Sequence, residues 1–234
     1  MSFWKVTMRR SVRLSRTYFI LGVVMSVYGI VLSNILSLFP ADSVNPASPP
    51  IDLTNSFPVL SVALLSLSAL LFSLPVVMLF VYDKNNGVLE YLLSTGLDQL
   101  DIFKGYVKAS LSLAAYLLVF SIIFNTAVGI LLGTSLSLLT SVAVLTFVIG
   151  ISEVFLVTIS MTAFSSLQKT PMGANQPLGV VIGIIPMFPA LILPLVFPSH
   201  AIVIDLLIAA ATLLVSLALL LSIKRLILRE KLLP

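Results

Sequence analysis

The chain has 234 residues, of which 59% are apolar and only 9% are charged, and its net charge is +4. A soluble domain carries about 25% charged residues. This composition therefore excludes a water-exposed surface over most of the chain, and it predicts one membrane domain, residues 1–234, whose main solvent is the lipid bilayer. With no cysteine and one histidine, disulfides, thiolate metal sites and a multi-histidine metal or haem site within one chain are excluded.

A basic amphipathic segment, residues 2–17, precedes the first long apolar run. On a helix, four basic side chains would form one stripe, with an aromatic side chain on the apolar stripe beside it. The pattern is typical of an interfacial helix on an anionic inner leaflet. The side chains predicted to contact the membrane surface are Trp4, Lys5, Arg9, Arg13 and Arg16. The alternative is a plain basic flank before a span.

Six apolar runs predict an all-α integral membrane protein with six transmembrane helices. The spans cover residues 18–39, 57–81, 107–132, 138–166, 178–197 and 202–223. The first run is about 22 residues long, longer than the apolar region of a signal peptide, so we interpret it as a retained span. All 13 Lys and Arg residues fall in the predicted inner segments or at their edges. The positive-inside rule then predicts a multi-pass protein of the plasma membrane with both termini in the cytoplasm.

Prolines interrupt this plan in two places. Residues 40–56 contain four prolines and no Lys or Arg, and predict an irregular outer loop. Four further prolines break residues 178–200, which cannot form one straight helix. Either the fifth span is strongly kinked, or it ends near Pro189 and a re-entrant segment follows. Such a segment would have to be buried in protein or line a water-filled cavity.

The longest polar interval, residues 82–105, lies on the predicted inner side between the second and third spans. We call residues 83–105 the platform. Asn86-Gly87 is a turn signal, and the apolar side chains after it predict a short helix over residues 88–93. Thr95 to Asp98 fits a capping box, which predicts a second helix starting near Leu97. Two such helices suit docking in the groove of a soluble partner; the alternative is an ordinary solvated loop.

The platform also carries a family resemblance. The run Gly87-Val88-Leu89-Glu90-Tyr91-Leu92-Leu93-Ser94-Thr95, followed by Ile102 and Gly105, resembles the G-T-L-E-x-L-L-x-[ST]-P…I…G-K signature of type-2 ABC transporter permeases. Val88, Gly96 and Tyr106 stand where that signature has Thr, Pro and Lys. The six-span plan, the basic N-terminus and the proline-broken region between spans five and six extend the resemblance over the whole chain.

The resemblance implies a transport subunit that works as an exporter. It implies coupling helices between spans two and three that contact a separate ATP-binding cassette subunit, and a second permease, identical or different. The candidate contacts with that ATPase are Asp83, Lys84, Gly87, Leu89, Glu90, Leu93 and Asp98. The chain has no Walker A motif, so ATP and Mg²⁺ are expected on the partner subunit. We expect no catalytic residue, resident metal, directly bound cofactor or nucleic-acid partner in this chain.

Three polar residues within the spans are candidates for a translocation pathway or a permease–permease interface: Glu153, Asn34 and Asn125. Glu153 is the ionisable residue near the middle of a span, where a charge costs at least roughly 2.5–3.5 kcal/mol. A protonated or water-bonded Glu153 is the structural alternative, and interhelical hydrogen bonds are the simpler explanation of the asparagines. His200 and Asp205 are interpreted as interfacial polar residues at the outer end of span six.

A second class of function uses the same features. The chain would then be a membrane anchor or assembly subunit whose platform recruits a partner that is not an ATPase. An adjacent ATPase gene would favour the transporter, and its absence would favour the anchor. An intramembrane enzyme centred on Glu153 has little support, because no second catalytic group is predicted at its depth.

Overall fold

The computed structural model describes residues 3–37, 53–167, 192–193, 196–197 and 200–226, and the regular elements of this part of the chain are helices. They are α1 (Phe3–Leu14), α2 (Arg16–Ser37), α3 (Leu53–Asn85), α4 (Val88–Ser94), α5 (Gln99–Leu131), α6 (Leu136–Leu167) and α7 (Ala201–Leu226). Five of them, α2, α3, α5, α6 and α7, contain stretches long and apolar enough to cross a membrane. The protein is an all-α, multi-pass membrane protein.

Five of the six predicted spans overlap these long helices. The other prediction, a fifth span over residues 178–197 with its kinked and re-entrant alternatives, lies outside the described residues except for 192–193 and 196–197. The predicted outer loop lies outside them up to Leu53, where α3 begins. The N-terminal helix is confirmed as α1, and its location at the membrane surface stays a prediction.

The long helices run in two directions. Ser26 and Asn34 of α2 bond to Ser121 and Asn125 of α5 respectively, so α2 and α5 are parallel. In contrast, α5 and α6 are antiparallel. The α7 helix runs parallel to α6: Ala209 belongs to the apolar cluster at the start of α6, and further along both helices Thr212 donates a hydrogen bond to Ser152 at 3.1 Å. Gly22 and Gly29 of α2 lie against Phe72 and Leu64 of α3 respectively, so α2 and α3 are antiparallel. As a result, α3, α6 and α7 point one way and α2 and α5 the other.

The core is a series of three apolar clusters, and α3 contributes to each of them. Small residues let its neighbours approach closely, as is common between membrane helices. A Cβ atom added at Gly29 of α2 would lie 2.8 Å from Cβ of Leu64 of α3, so this crossing requires glycine. One of these clusters, around Phe80, Phe103 and Tyr106, lies at the end of the bundle where α1 and α4 pack. We call this the platform end.

The two helices that flank the platform are longer than the spans predicted within them, residues 57–81 and 107–132. Both α3 and α5 have 33 residues, or about 50 Å at 1.5 Å per residue. They therefore extend beyond the roughly 30 Å hydrocarbon core of a bilayer. Each long helix continues directly from its apolar run into the polar platform.

Local signals within the platform are partly confirmed. The turn at Gly87 is present with φ +70°, and the predicted short helix is α4. The predicted second helix is present as α5, which begins at Gln99, two residues after Leu97, with Asp98 as its N-cap. The capping box itself is wrong. Thr95 ends α4, where its hydroxyl donates to the Leu92 carbonyl at 2.7 Å. Gly96 separates the two helices with φ +87°, a conformation that favours glycine.

Candidate functional site

A fully buried carboxylate, that of Asp83 in the last turn of α3, holds the platform end together. Arg10 of α1 donates two hydrogen bonds to its two oxygens, at 2.9 and 2.6 Å. The Tyr106 hydroxyl of α5 donates another at 2.5 Å. Paired charge-assisted bonds of this kind fix geometry as well as adding energy. One side chain of α3 is thus bonded to both α1 and α5.

Aromatic packing surrounds this polar centre. The Tyr106 ring makes edge contacts with Phe3 of α1 and Phe80 of α3, with ring centroids 5.7 and 5.1 Å apart. Gly105 lies directly under Phe3, and a methyl group added there would overlap the Phe3 ring. The first turn of α1 therefore packs tightly on α5, and Tyr106 has a structural function at the position where the resembled signature has lysine.

The apolar face of α4 packs onto the same cluster. Leu89 is buried among Phe80, Phe103 and Tyr106, and Leu92 and Leu93 pack beside it. The predicted coupling residues Leu89 and Leu93 consequently contact the chain's own core. They would contribute to a partner interface indirectly, by holding α4 in position.

The outward face of the platform carries two large side chains that the sequence interpretation did not select. Tyr91 on α4 is 68% exposed, and Leu97 between α4 and α5 is 39% exposed. A helical period places Tyr91 about 200° from Leu89. That relation could have identified it as outward-facing once Leu89 was assigned to the core.

The seven predicted coupling residues divide by burial. Asp83, Lys84 and Leu89 are buried, whereas Gly87, Glu90 and Leu93 are half-buried and Asp98 is exposed. The structure therefore separates residues that hold the platform in place from residues that a partner could touch. The second group comprises Asp98, Tyr91 and Leu97, with Glu90 at its edge. Arg10 was predicted only as one more inner basic residue, because its partner lies 73 residues away in the chain.

Four of the five predicted membrane-surface residues lie on α1, and the fifth, Arg16, begins α2. Lys5, Arg9 and Arg13 of α1 are exposed, as is Arg16 at the start of α2. Trp4 is half-buried, and the Nζ atoms of Lys5 and Lys108 lie 5.7 and 5.3 Å from its ring centroid. Cation–π contacts at exposed sites contribute about 0.5–1 kcal/mol. Trp4 thus connects the basic stripe to the first turns of α5.

The polar residues within the spans form two separate groups. Asn34 donates to Asn125 at 2.9 Å, and both are buried between α2 and α5. Glu153 is buried elsewhere, on α6, and Asp205 is buried on the neighbouring α7. Glu153 Oε2 and Asp205 Oδ1 have no hydrogen-bond partner among the described residues. Asp205 is buried within the protein, whereas His200 is exposed. The location of both at the membrane interface stays a prediction.

No protein-family model, curated protein or solved structure matches the chain. The family resemblance accordingly remains a prediction based on the platform sequence.

Proposed function

We propose that the chain is the membrane permease subunit of an ATP-driven ABC exporter, in which a separate ATPase subunit acts on the platform. The observation that carries the proposal is the set of bonds at Asp83. Because this residue joins α3 to α1 and α5, a force applied to the platform acts on three helices at once. A solvated loop without such bonds would not transmit it.

The outward face of the platform fits a protein partner. Tyr91 and Leu97 are exposed, and the acidic side chains of Asp98 and Asp101 lie exposed beside them. Tyrosine is enriched among residues that dominate binding energy at protein interfaces. A short helix with such a face suits docking in a groove.

The proposed mechanism follows from the length of the helices. The α3 and α5 helices extend from the platform through their apolar runs, 33 residues each. ATP-driven closure of two ATPase subunits would displace the platforms of two permease chains, identical or different. The attached helices would move as rigid elements and switch access from the inner to the outer side.

The helix directions support the proposed six-span topology with both termini in the cytoplasm. The neighbouring helices α6 and α7 are parallel, so if both cross the bilayer, the chain has to return across it between them. Three described long helices point one way and two the other. If both termini lie on the same side, the number of crossing segments is even. One further segment must then cross in the direction of α2 and α5.

Purification from the native host in mild detergent, with mass spectrometry and an ATPase assay on the complex, tests the proposal. We expect a co-purifying protein with a Walker A motif whose hydrolysis rate changes when this chain is removed. A stable complex with a partner that has no nucleotide-binding motif would overturn the transporter and favour the membrane-anchor function.

A further inference from the structure

A groove with a volume of about 870 Å³ opens along α6 between α5 and α7. Its walls are mainly apolar and include Leu111 of α5, Ile151 of α6 and Leu220 of α7. Towards the platform end the lining also includes two basic side chains, Lys104 and Lys108, next to the apolar Leu100 and Phe103. The groove thus combines apolar walls with two basic side chains, Lys104 and Lys108, which we call its basic mouth.

Among the described residues, no salt bridge neutralises the two lysines of the groove. Lys104 and Lys108 are four residues apart on α5, so they lie on the same face of the helix, and both are exposed. The ion pair found in the described part of the chain joins Arg10 to Asp83 and involves neither lysine. Asp101 is three residues before Lys104, but it is exposed and no salt bridge connects the two. Lys108 contacts the Trp4 ring, which carries no charge.

The dimensions of the groove match one leaflet of a bilayer. Its lining on α5 runs from Leu100 to Ala115, and the part from Lys104 to Ala115 is about 16 Å long at 1.5 Å per residue. Half of a hydrocarbon core roughly 30 Å thick is about 15 Å. With the lysines at the level of the headgroups, the apolar walls would reach the middle of the membrane.

We propose that this groove binds one anionic phospholipid of the leaflet on the platform side. The lipid phosphate would contact Lys104 and Lys108, and an acyl chain would lie against Leu111, Ile151 and Leu220. Basic pockets between membrane helices bind anionic headgroups, with about 1 kcal/mol from each Lys near the surface. A zwitterionic lipid would fill the same apolar walls but leave the two positive charges uncompensated. The proposal does not depend on the identity of the platform's partner.

Native mass spectrometry of the full chain in detergent, titrated with palmitoyl-oleoyl phosphatidylglycerol or phosphatidylcholine, tests the charge requirement. We expect phosphatidylglycerol to bind about 10- to 30-fold more tightly. The double variant Lys104→Ala/Lys108→Ala should reduce that preference to within about threefold. Lys5→Ala is the matched control, because Lys5 also contacts Trp4 but does not line the groove. Equal affinities in the wild type, or an equal loss in the control, would overturn the proposal.

A second titration tests the apolar walls. Ile151→Trp on α6 and Leu111→Trp on α5 narrow the groove from two of its walls, and each should weaken phosphatidylglycerol binding at an unchanged melting temperature. Glycerol phosphate, which has no acyl chain, should not compete. Competition by glycerol phosphate at the lipid's own concentration would reduce the site to a phosphate site. A change in oligomeric mass without a change in lipid binding would instead make the groove an interface between copies of the chain.

Discussion

At the scale of the residue, Asp83 shows how a charge is retained in the interior of a membrane protein. A buried carboxylate is costly unless its oxygens are bonded to donors. Here, Arg10 and Tyr106 supply three hydrogen bonds. The Arg10 side chain is 37% exposed and Asp83 is fully buried. Loss of Arg10 and loss of Asp83 should therefore differ in their effect on stability. Removing Arg10 leaves a buried charge without its counterion, whereas removing Asp83 leaves an arginine that water can reach.

We therefore predict that Arg10→Ala destabilises the protein by about 3–5 kcal/mol, the range for a buried charge that loses its partner. Asp83→Asn should cost less, because Arg10 can be rehydrated. The melting temperature of the detergent-solubilised protein measures both. Arg9→Ala is the control, since Arg9 is the exposed neighbour. Melting temperatures that fall equally in Arg9→Ala and Arg10→Ala would show that the ion pair contributes nothing.

The sequence predicts those features of the platform that depend on residues close together in the chain. The turn at Gly87 and the helix after it follow from neighbouring residues, and both are present. The function of Leu89 could not be predicted in the same way, because an apolar side chain on a short helix suits a partner's groove or the protein's own core equally well. The pairing of Arg10 with Asp83 across 73 residues leaves no local signal either. The capping-box motif failed because the Thr95 hydroxyl bonds back to Leu92, at the end of the preceding helix.

At the scale of the element, serine and asparagine side chains connect the long helices. Ser110 and Thr158 join α5 to α6 at 2.8 Å, and Asn34 and Asn125 join α2 to α5 at 2.9 Å. Lipid provides no hydrophobic drive for helix association, so close packing and such bonds set the arrangement. From the sequence, Asn34 and Asn125 are candidates for a translocation pathway or a permease–permease interface, with interhelical hydrogen bonds as the simpler explanation. In the structure they bond to each other between parallel helices.

A double-mutant cycle measures the strength of this pair. Asn34→Leu and Asn125→Leu should show a coupling energy of about 0.6 kcal/mol and at most about 1.7 kcal/mol, as for other interhelical bonds in membranes. Unfolding in mixed micelles of detergent and dodecyl sulfate provides the free energies. The control cycle combines Asn34→Leu with Asn86→Leu, because Asn86 lies on the platform turn and bonds to the Tyr82 carbonyl. Equal coupling in both cycles would contradict a direct bond.

At the scale of the whole molecule, the parallel packing of α6 and α7 leads to a prediction about topology. Their first residues should lie on one side of the membrane, and the platform should lie on the other. The five long helices were predictable from the length of their apolar runs. Their packing partners were not, since hydropathy shows which segments cross the bilayer and gives no information about which of them are neighbours.

Single-cysteine labelling tests this topology directly, because the chain has no cysteine of its own. A membrane-impermeant maleimide should label Ser135→Cys and His200→Cys in intact cells. Asp98→Cys should react only after the membrane is permeabilised. All three side chains are exposed, so poor access within the protein does not explain a missing label. Labelling of Ser135→Cys and His200→Cys from opposite sides would contradict the parallel arrangement across the membrane.

In the proposed function, the outward face of the platform receives an ATPase subunit. The most direct measurement compares ATPase binding and stimulation in Tyr91→Ala with those in Tyr116→Ala, whose tyrosine is 65% exposed on α5, away from the platform. Loss of an interface hot spot costs at least about 2 kcal/mol, so Tyr91→Ala should raise the Kd for the ATPase subunit about 30-fold. Tyr116→Ala should bind and stimulate it like the wild type. Unchanged binding and hydrolysis in Tyr91→Ala, with both variants folded, would contradict the claim.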